Sequence, residues 1–215
     1  MKRPALFFDF DNTITQGDVL DRVIERYSAT EAWREWETEW QAGRLATPDC
    51  LARQVGDLRA TTAELAAFVS AMPIDAGFPR IEAWARARGY RVEILTDNFR
   101  PLVAAILARE GLGHVPTFAN ELESDGERHT ARFPLRDPHC PRCAHCKAVR
   151  LREAVDVTRI FVGDGLSDVC GALAADVVYA KDSLARTLAA RGVPFTAYGT
   201  LDDVLESLRI HFPDP

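Results

Sequence analysis

Two short acidic motifs carry the residues best suited to chemistry. In LFFDFDNT, Asp9 and Asp11 leave an apolar run two positions apart, so an extended backbone aims both carboxylates to one side. At the carboxyl end of a strand in an open α/β sheet, that side is the crevice where ligands bind. Two close carboxylates cannot ionise independently. Repulsion raises one pKa, which leaves one group as an anionic nucleophile or metal ligand and the other as a proton carrier. Alone, Asp-x-Asp serves equally as a turn or helix cap. A second motif, VGDGLSD, strengthens the chemical reading, because Asp164 also follows an apolar run. Asp168 lies about one helical turn further on, either facing the same crevice or orienting its neighbours. Carboxylates converging in this number demand a cation, and oxygen ligands without histidine suit Mg²⁺ better than zinc.

Two further pieces complete a phosphate site. After the run Val92–Leu95 comes Thr96-Asp97-Asn98, where a hydroxyl and the N–H groups at a helix entry can hold phosphate oxygens; a plain helix cap is the bland alternative for Thr96. Lys147 begins another helical pattern and can neutralise a phosphoryl group crowded by aspartates. Only Lys2, Lys147 and Lys181 are lysine among 26 basic residues, so Lys181 is its competitor.

Three of the five cysteines, Cys140, Cys143 and Cys146, fall within seven residues in HCPRCAHCK. Three thiolates can serve a tetrahedral metal, with His139, His145 or the distant Cys170 as fourth ligand. The reading favoured here is structural: thiols that pack as small apolar groups and fix the path of the loop delivering Lys147. An odd total fits thiols or metal ligands better than a secreted disulfide framework.

These residues need elements to position them. Ala5–Phe8, Val92–Leu95, Ile160–Val162 and Val177–Tyr179 are short, unalternated and rich in Val, Ile, Leu and Phe, as strands buried on both faces are. Phe195–Tyr198 is a weaker fifth. Helix patterns follow: Arg100–Arg109, Leu166–Ala174, Ser183–Arg191 and Leu201–Leu208. The alternation predicts a doubly wound, Rossmann-like parallel sheet, an α/β fold. A hairpin is expected around Ser124-Asp125-Gly126. Between about Asp18 and Met72 no strand pattern occurs. Helices are expected there, one started by Thr47 with Pro48 at its first position and one by the Thr61-x-x-Glu64 capping box. The expected division is therefore a core of residues 1–17 and 73–215 with an all-helical cap, 18–72, inserted after the first strand and acting as a lid. Trp33, Trp36 and Trp40 share one helical face, and a packed cap core is favoured over a wall that stacks substrate.

Composition bounds the partners. The chain has 215 residues, 47% hydrophobic and 27% charged, which excludes a disordered or fibrous chain. A net charge of −6 opposes nucleic acid and anionic membrane surfaces, and no apolar run has spanning length. A cytoplasmic protein is expected.

The order of motifs, DFDNT, then Thr96, then Lys147, then GDGLSD, resembles the haloacid dehalogenase superfamily of aspartate-nucleophile phosphohydrolases over nearly the whole chain. The helical insert resembles the cap of its phosphoserine-phosphatase-like branch. HCPRCAHCK and GDGLSDVCGALAADVVYAKDSL resemble the methylthiopentenyl-phosphate phosphatases of methionine salvage; Asn12 and Asp97-Asn98 stand where that subgroup commonly has glycines. The resemblance implies that Asp9 attacks phosphorus and that Asp11 protonates the leaving alcohol and later activates water. It implies Mg²⁺ on the Asp9 carboxylate, the Asp11 main-chain carbonyl and Asp164, with Asp168 holding the metal shell and Thr96 and Lys147 binding the transferring group. A dehalogenase attacks carbon and has no alkoxide to protonate, so an acid at Asp11 favours phosphate esters. Asp18 matches an acidic substrate contact and can equally cap the first insert helix. The expected substrate is a small phosphorylated metabolite: the methionine-salvage enol phosphate, phosphoserine, phosphocholine or phosphoethanolamine, or a vitamin phosphate. A non-catalytic zinc- or phosphate-binding module is the alternative from another class.

Overall fold

The four apolar runs form the centre of the sheet. A computed structural model describes residues 2–213. Its strands are β1 (Arg3–Phe8), β2 (Arg91–Phe99), β3 (Thr117–Asp125), β4 (Arg128–Arg132), β5 (Val157–Gly163), β6 (Val177–Ala180) and β7 (Thr196–Ala197). They lie in the order β4-β3-β2-β1-β5-β6-β7, and every pairing is parallel except the hairpin β3–β4. The chain therefore builds outward from β1 to one side and then, from β5, to the other. This places the topological switch point at the carboxyl ends of β1, β2 and β5.

Helices α1 (Val19–Tyr27), α2 (Trp33–Gln41), α3 (Thr47–Gly56), α4 (Thr62–Ser70) and α5 (Gly77–Ala87) run between β1 and β2. Then come α6 (Arg100–Arg109), α7 (Lys147–Glu153), α8 (Val169–Ala174), α9 (Asp182–Ala190) and α10 (Leu201–His211). Alternate residues of β1 face opposite sides: Leu6 and Phe8 join one apolar cluster with Ile94 and Ile160, while Ala5 and Phe7 join another with Leu95 and Phe161. Burial on both faces explains why these strands read as continuous apolar runs. Among the described residues, no helix is long and apolar enough to cross a membrane.

The stretch from 18 to 72 carries α1 to α4 and no strand. Its apolar side chains continue the first cluster: Val23, Val55, Leu58, Leu65 and Val69 are buried in one body with Phe8, Phe78 and Ile106. Polar ties add to this. The Thr47 N–H donates to the Arg142 carbonyl at 2.9 Å, and the His129 ring meets the Ala60 carbonyl at 2.7 Å.

Several local expectations need correction. The α3 N-cap is Ala46, and the Thr47 hydroxyl instead accepts the Trp40 indole N–H at 2.9 Å. The segment Leu166–Ala174 divides into a 3-10 turn, Leu166–Asp168, and α8. None of Trp33, Trp36 and Trp40 is fully buried, so the stripe is no packed cap core. Trp33 packs partly against the main cluster, and Trp40 borders the cavity described below. A charge-rich helix, WREWETEWQ, has too few apolar positions to bury that face on its own.

Candidate active site

The first motif leaves the sheet through a tight turn. The Asp9 N–H still donates to Val162 of β5, and the Phe10 carbonyl then accepts the N–H groups of Ile14 and Thr15. The turn holds Asn12 at a φ of 55°, a left-handed conformation that asparagine tolerates better than most residues. From there the Asn12 amide donates to one Asp164 oxygen at 2.8 Å, and the Thr13 hydroxyl donates to the other at 3.0 Å. The first motif thus orients the carboxylate of the second.

Lys147 is fully buried, and its ammonium bridges Asp9 and Asp168. Burial alone would lower its pKa, but Asp168 and Asp9 outweigh that and hold it above the ordinary lysine value. Asp168 is saturated: Oδ1 receives Lys147, and Oδ2 accepts the N–H groups of Asp164 and Gly165 at 2.9 and 3.0 Å. Its fold-back lies over Gly163, where an added Cβ would stand 2.5 Å from Asp168 Oδ2. The oxygens of Asp9, Asp164 and Asp168 lie within 4.8 Å of one another. Burial, then the charge of Asp168, pushes Asp9 well above the usual carboxylate range, with Lys147 opposing. Asp164 rises for the same two reasons, pulled back by Asn12 and Thr13.

Asp11 points the other way. Its carboxylate accepts the Val19 N–H of α1 at 2.9 Å and the Asn98 amide at 2.9 and 3.1 Å. Burial and the neighbouring Asp18 push its pKa up to about 8, against the opposing hydrogen bonds from Val19 and Asn98. One acid of the pair therefore carries a proton at neutral pH. Asp18 caps α1 by accepting the Asp21 N–H at 2.9 Å, and burial with the Asp21 charge raises it to about 7.

Over these groups lies a cavity of about 450 Å³. Asp9, Asp11 and Asp164 line it on the sheet side; Asp18 comes from the N-cap of α1, Asp21 from α1, Glu37 and Trp40 from α2, and Arg186 from α9.

The structure brings Asp9, Asp11, Asp18, Asp97, Asn98 and Asp164 to the cavity wall, with Lys147 and Asp168 behind Asp9. Thr96 differs. It is fully buried, its hydroxyl accepts the Asn98 N–H at 2.9 Å and reaches Asp11 at 3.4 Å, and α6 starts only at Arg100 because β2 runs on through a register shift to Phe99. It is neither a helix cap nor a cavity-lining hydroxyl. Asn98 spends its amide on Asp11 and its oxygen on the Phe99 N–H, and so acts by orienting Asp11. Asp97 accepts the His145 N–H at 2.7 Å with one oxygen and leaves the other unpaired; burial raises it to about 6 against Lys147. Of the two candidate lysines, Lys147 reaches Asp9 and Asp168, whereas Lys181 lies over the Tyr198 ring. Sequence reading passed over Thr13 and Arg186, and gave Asn12 no role; the left-handed turn at Asn12 leaves no composition or spacing signal.

The cysteine expectation also changes. Cys170 joins Cys140, Cys143 and Cys146, and all four Sγ atoms lie within 4.8 Å of one another. Neither histidine belongs to the group: His139 is exposed, and the His145 ring meets the Thr96 carbonyl at 3.2 Å.

Fold and crevice together define an α/β protein with an aspartate–lysine centre beneath a helical roof. The chain belongs to the haloacid dehalogenase-like hydrolases, whose family model matches residues 6–173. It is 27% identical over 214 residues to a 2-hydroxy-3-keto-5-methylthiopentenyl-1-phosphate phosphatase of Brevibacillus brevis, covering 97% of this chain and 96% of the relative. A Geobacillus kaustophilus protein of the same name is 26% identical, with the same coverage. In fold it resembles a substrate-bound phosphoserine phosphatase complex, with a TM-score of 0.74 and 19% identity over 96% of this chain and 98% of that one. A phospho-aspartyl intermediate analogue of phosphoserine phosphatase gives a TM-score of 0.73 and 18% identity, covering 96% and 99%.

Proposed function

We propose that this hydrolase is a Mg²⁺-dependent phosphatase that cleaves a small phosphate monoester through an aspartyl-phosphate on Asp9. The observation that carries the reading is a division of labour between two neighbouring aspartates. Asp9 is ion-paired to buried Lys147, whose charge opposes the burial that raises its pKa, while Asp11 is raised to about 8 and keeps its proton. Lys147 holds Asp9 Oδ1, which leaves Oδ2 to attack phosphorus. Asp11, held by Val19 and Asn98, gives its proton to the departing alcohol oxygen and then takes one from the water that opens the intermediate. Thr96 serves by fixing Asn98 and Asp11. Asp168 serves by positioning Lys147 and the Asp164 backbone.

The donor set suits a hard divalent cation, because three carboxylates converge with oxygen ligands only. Asp9, the Asp11 main-chain carbonyl and Asp164 would hold the ion, and Asp168, saturated already, would keep them in place. When bound, Mg²⁺ supplies positive charge that offsets the phosphoryl oxygens against Asp9.

The helical stretch 18–72 works as the cap that selects the leaving group, with Asp18, Asp21, Glu37 and Trp40 facing the cavity. The names of the relatives at 27 and 26% identity favour the methionine-salvage enol phosphate as substrate. The acidic roof favours a second reading, an amine-bearing alcohol such as choline or ethanolamine, whose cation would meet Asp18, Asp21 and Glu37. The five unpaired cysteines agree with a cytoplasmic setting.

The test is a panel of phosphorylated metabolites ranked by kcat/KM with Mg²⁺ present, repeated on Asp9→Asn. Preference for amine-bearing esters over the enol phosphate selects the second substrate reading. No turnover of any ester by the parent protein sinks the phosphatase reading, and turnover retained by Asp9→Asn sinks the covalent step.

A further inference from the structure

We propose that Cys140, Cys143, Cys146 and Cys170 bind one zinc ion as a structural tetrathiolate centre that joins the loop before α7 to the start of α8. The four Sγ atoms converge on a point, each within 4.8 Å of the others, with Cys143 and Cys170 3.8 Å apart. Four thiolates about 2.3 Å from a tetrahedral zinc stand about 3.8 Å from one another. The sequence step Cys-x-x-Cys-x-x-Cys supplies three sulfurs from one tight loop, and the helix that follows Asp168 supplies the fourth.

Neither a disulfide nor simple packing accounts for this arrangement. All five cysteines are free thiols. The Cys143–Cys170 separation far exceeds a bond of about 2.05 Å, and pairing them would leave two more thiols at the same point. All four cysteines lie in or against the second apolar cluster, but apolar packing explains contact with carbon neighbours and not why four sulfurs face each other, two of them only half-buried. Soft sulfur ligands also separate this centre from the oxygen donors around Asp9, which suit a hard cation.

The fold gives the ion work to do. Residues 133–146, between β4 and α7, form neither helix nor strand, and a loop of this length without structure of its own needs another constraint. Cys146 directly precedes Lys147, and Cys170 lies two residues beyond Asp168. An ion held by both would fix the register of the two residues whose buried ion pair supports Asp9. Binding releases four protons from the four thiols and leaves a centre of net charge −2, which the half-exposed Cys140 and Cys170 keep in contact with water.

The experiment is elemental analysis of the full-length protein, purified without chelator from zinc-supplemented medium. The expected result is about one zinc per chain, retained through dialysis and in Asp9→Asn, lost in Cys170→Ser together with a lower Tm, and kept in Cys50→Ser, which lies outside the cluster. If Cys170→Ser fails to fold, cobalt exchanged into the parent protein decides the matter through the thiolate-to-cobalt charge-transfer band in the near ultraviolet. Zinc far below one per chain, iron in its place, zinc surviving in a folded Cys170→Ser, a Cys143–Cys170 disulfide in freshly isolated protein, or cobalt protein without the thiolate band would each overturn the proposal.

Discussion

The side-chain amide of Asn98 donates to both oxygens of the Asp11 carboxylate, at 2.9 and 3.1 Å, from the strand beside β1. The acid on which leaving-group departure depends is thus oriented by a residue 87 positions away. Its protonation is set by a balance: burial and Asp18 raise its pKa, while Val19 and Asn98 lower it.

That balance predicts opposite pH shifts in two variants. A general acid must be protonated, so the rate falls as pH rises through its pKa. Asp18→Asn removes the charge that raises Asp11 yet preserves a side chain that caps helices well, so the alkaline limb of kcat should move to lower pH. Asn98→Ala removes hydrogen bonds that lower it, so the limb should move to higher pH. Shifts in the same direction would contradict the assignment of Asp11.

The same Asp18 variant carries a stability signature. Asp18 sits near 7 in the folded chain and near the ordinary carboxylate value when unfolded. Its contribution to stability is present at low pH and is lost as pH rises through about 7. Asp18→Asn should therefore gain on the parent in Tm at pH 8 relative to pH 5, as followed by calorimetry.

Asp11→Asn should reduce turnover by about 10²- to 10⁴-fold on an alkyl phosphate and by much less on an aryl phosphate, whose phenolate leaves with little protonation. Equal losses on both esters, measured as kcat, would remove the proton-donor role.

Lys147→Ala should abolish activity and cost about 3–5 kcal/mol at neutral pH, because it leaves Asp9 and Asp168 buried without a partner. Asp9, raised already and now without its cation, binds its proton more tightly folded than unfolded, so the deficit should shrink as pH falls toward 5 in urea unfolding.

Gly163→Ala should act on the same group without touching its charge. The new methyl would stand 2.5 Å from an Asp168 oxygen that cannot yield without losing two N–H donors. A fall of about 10- to 100-fold in kcat is expected. Excess EDTA should abolish activity in the parent, with recovery on adding Mg²⁺; an unchanged rate would remove the metal from the mechanism.

Local pattern was enough to reveal the central strands, because burial on both sheet faces writes a continuous apolar run, and the strand ends bring Asp9 and Asp164 together; that Asp11 turns away from them to Val19 and Asn98 was not legible there. Chain order alone brought the acidic motifs and Lys147 together as one resemblance. What local pattern does not contain is which distant group each polar atom meets. Thr96 reads as a hydroxyl at a helix entry until β2 is seen to run on to Phe99 and bury it. The tryptophan stripe reads as core until α2 proves half-exposed beside the cavity. Cys170 reads as one of three candidate partners of the cysteine loop, beside His139 and His145, until α8 docks against that loop. Periodicity reports how a segment faces its own axis, whereas hydrogen-bond partners and metal geometry depend on how separate elements dock, and docking is decided only when both apolar clusters close around the sheet.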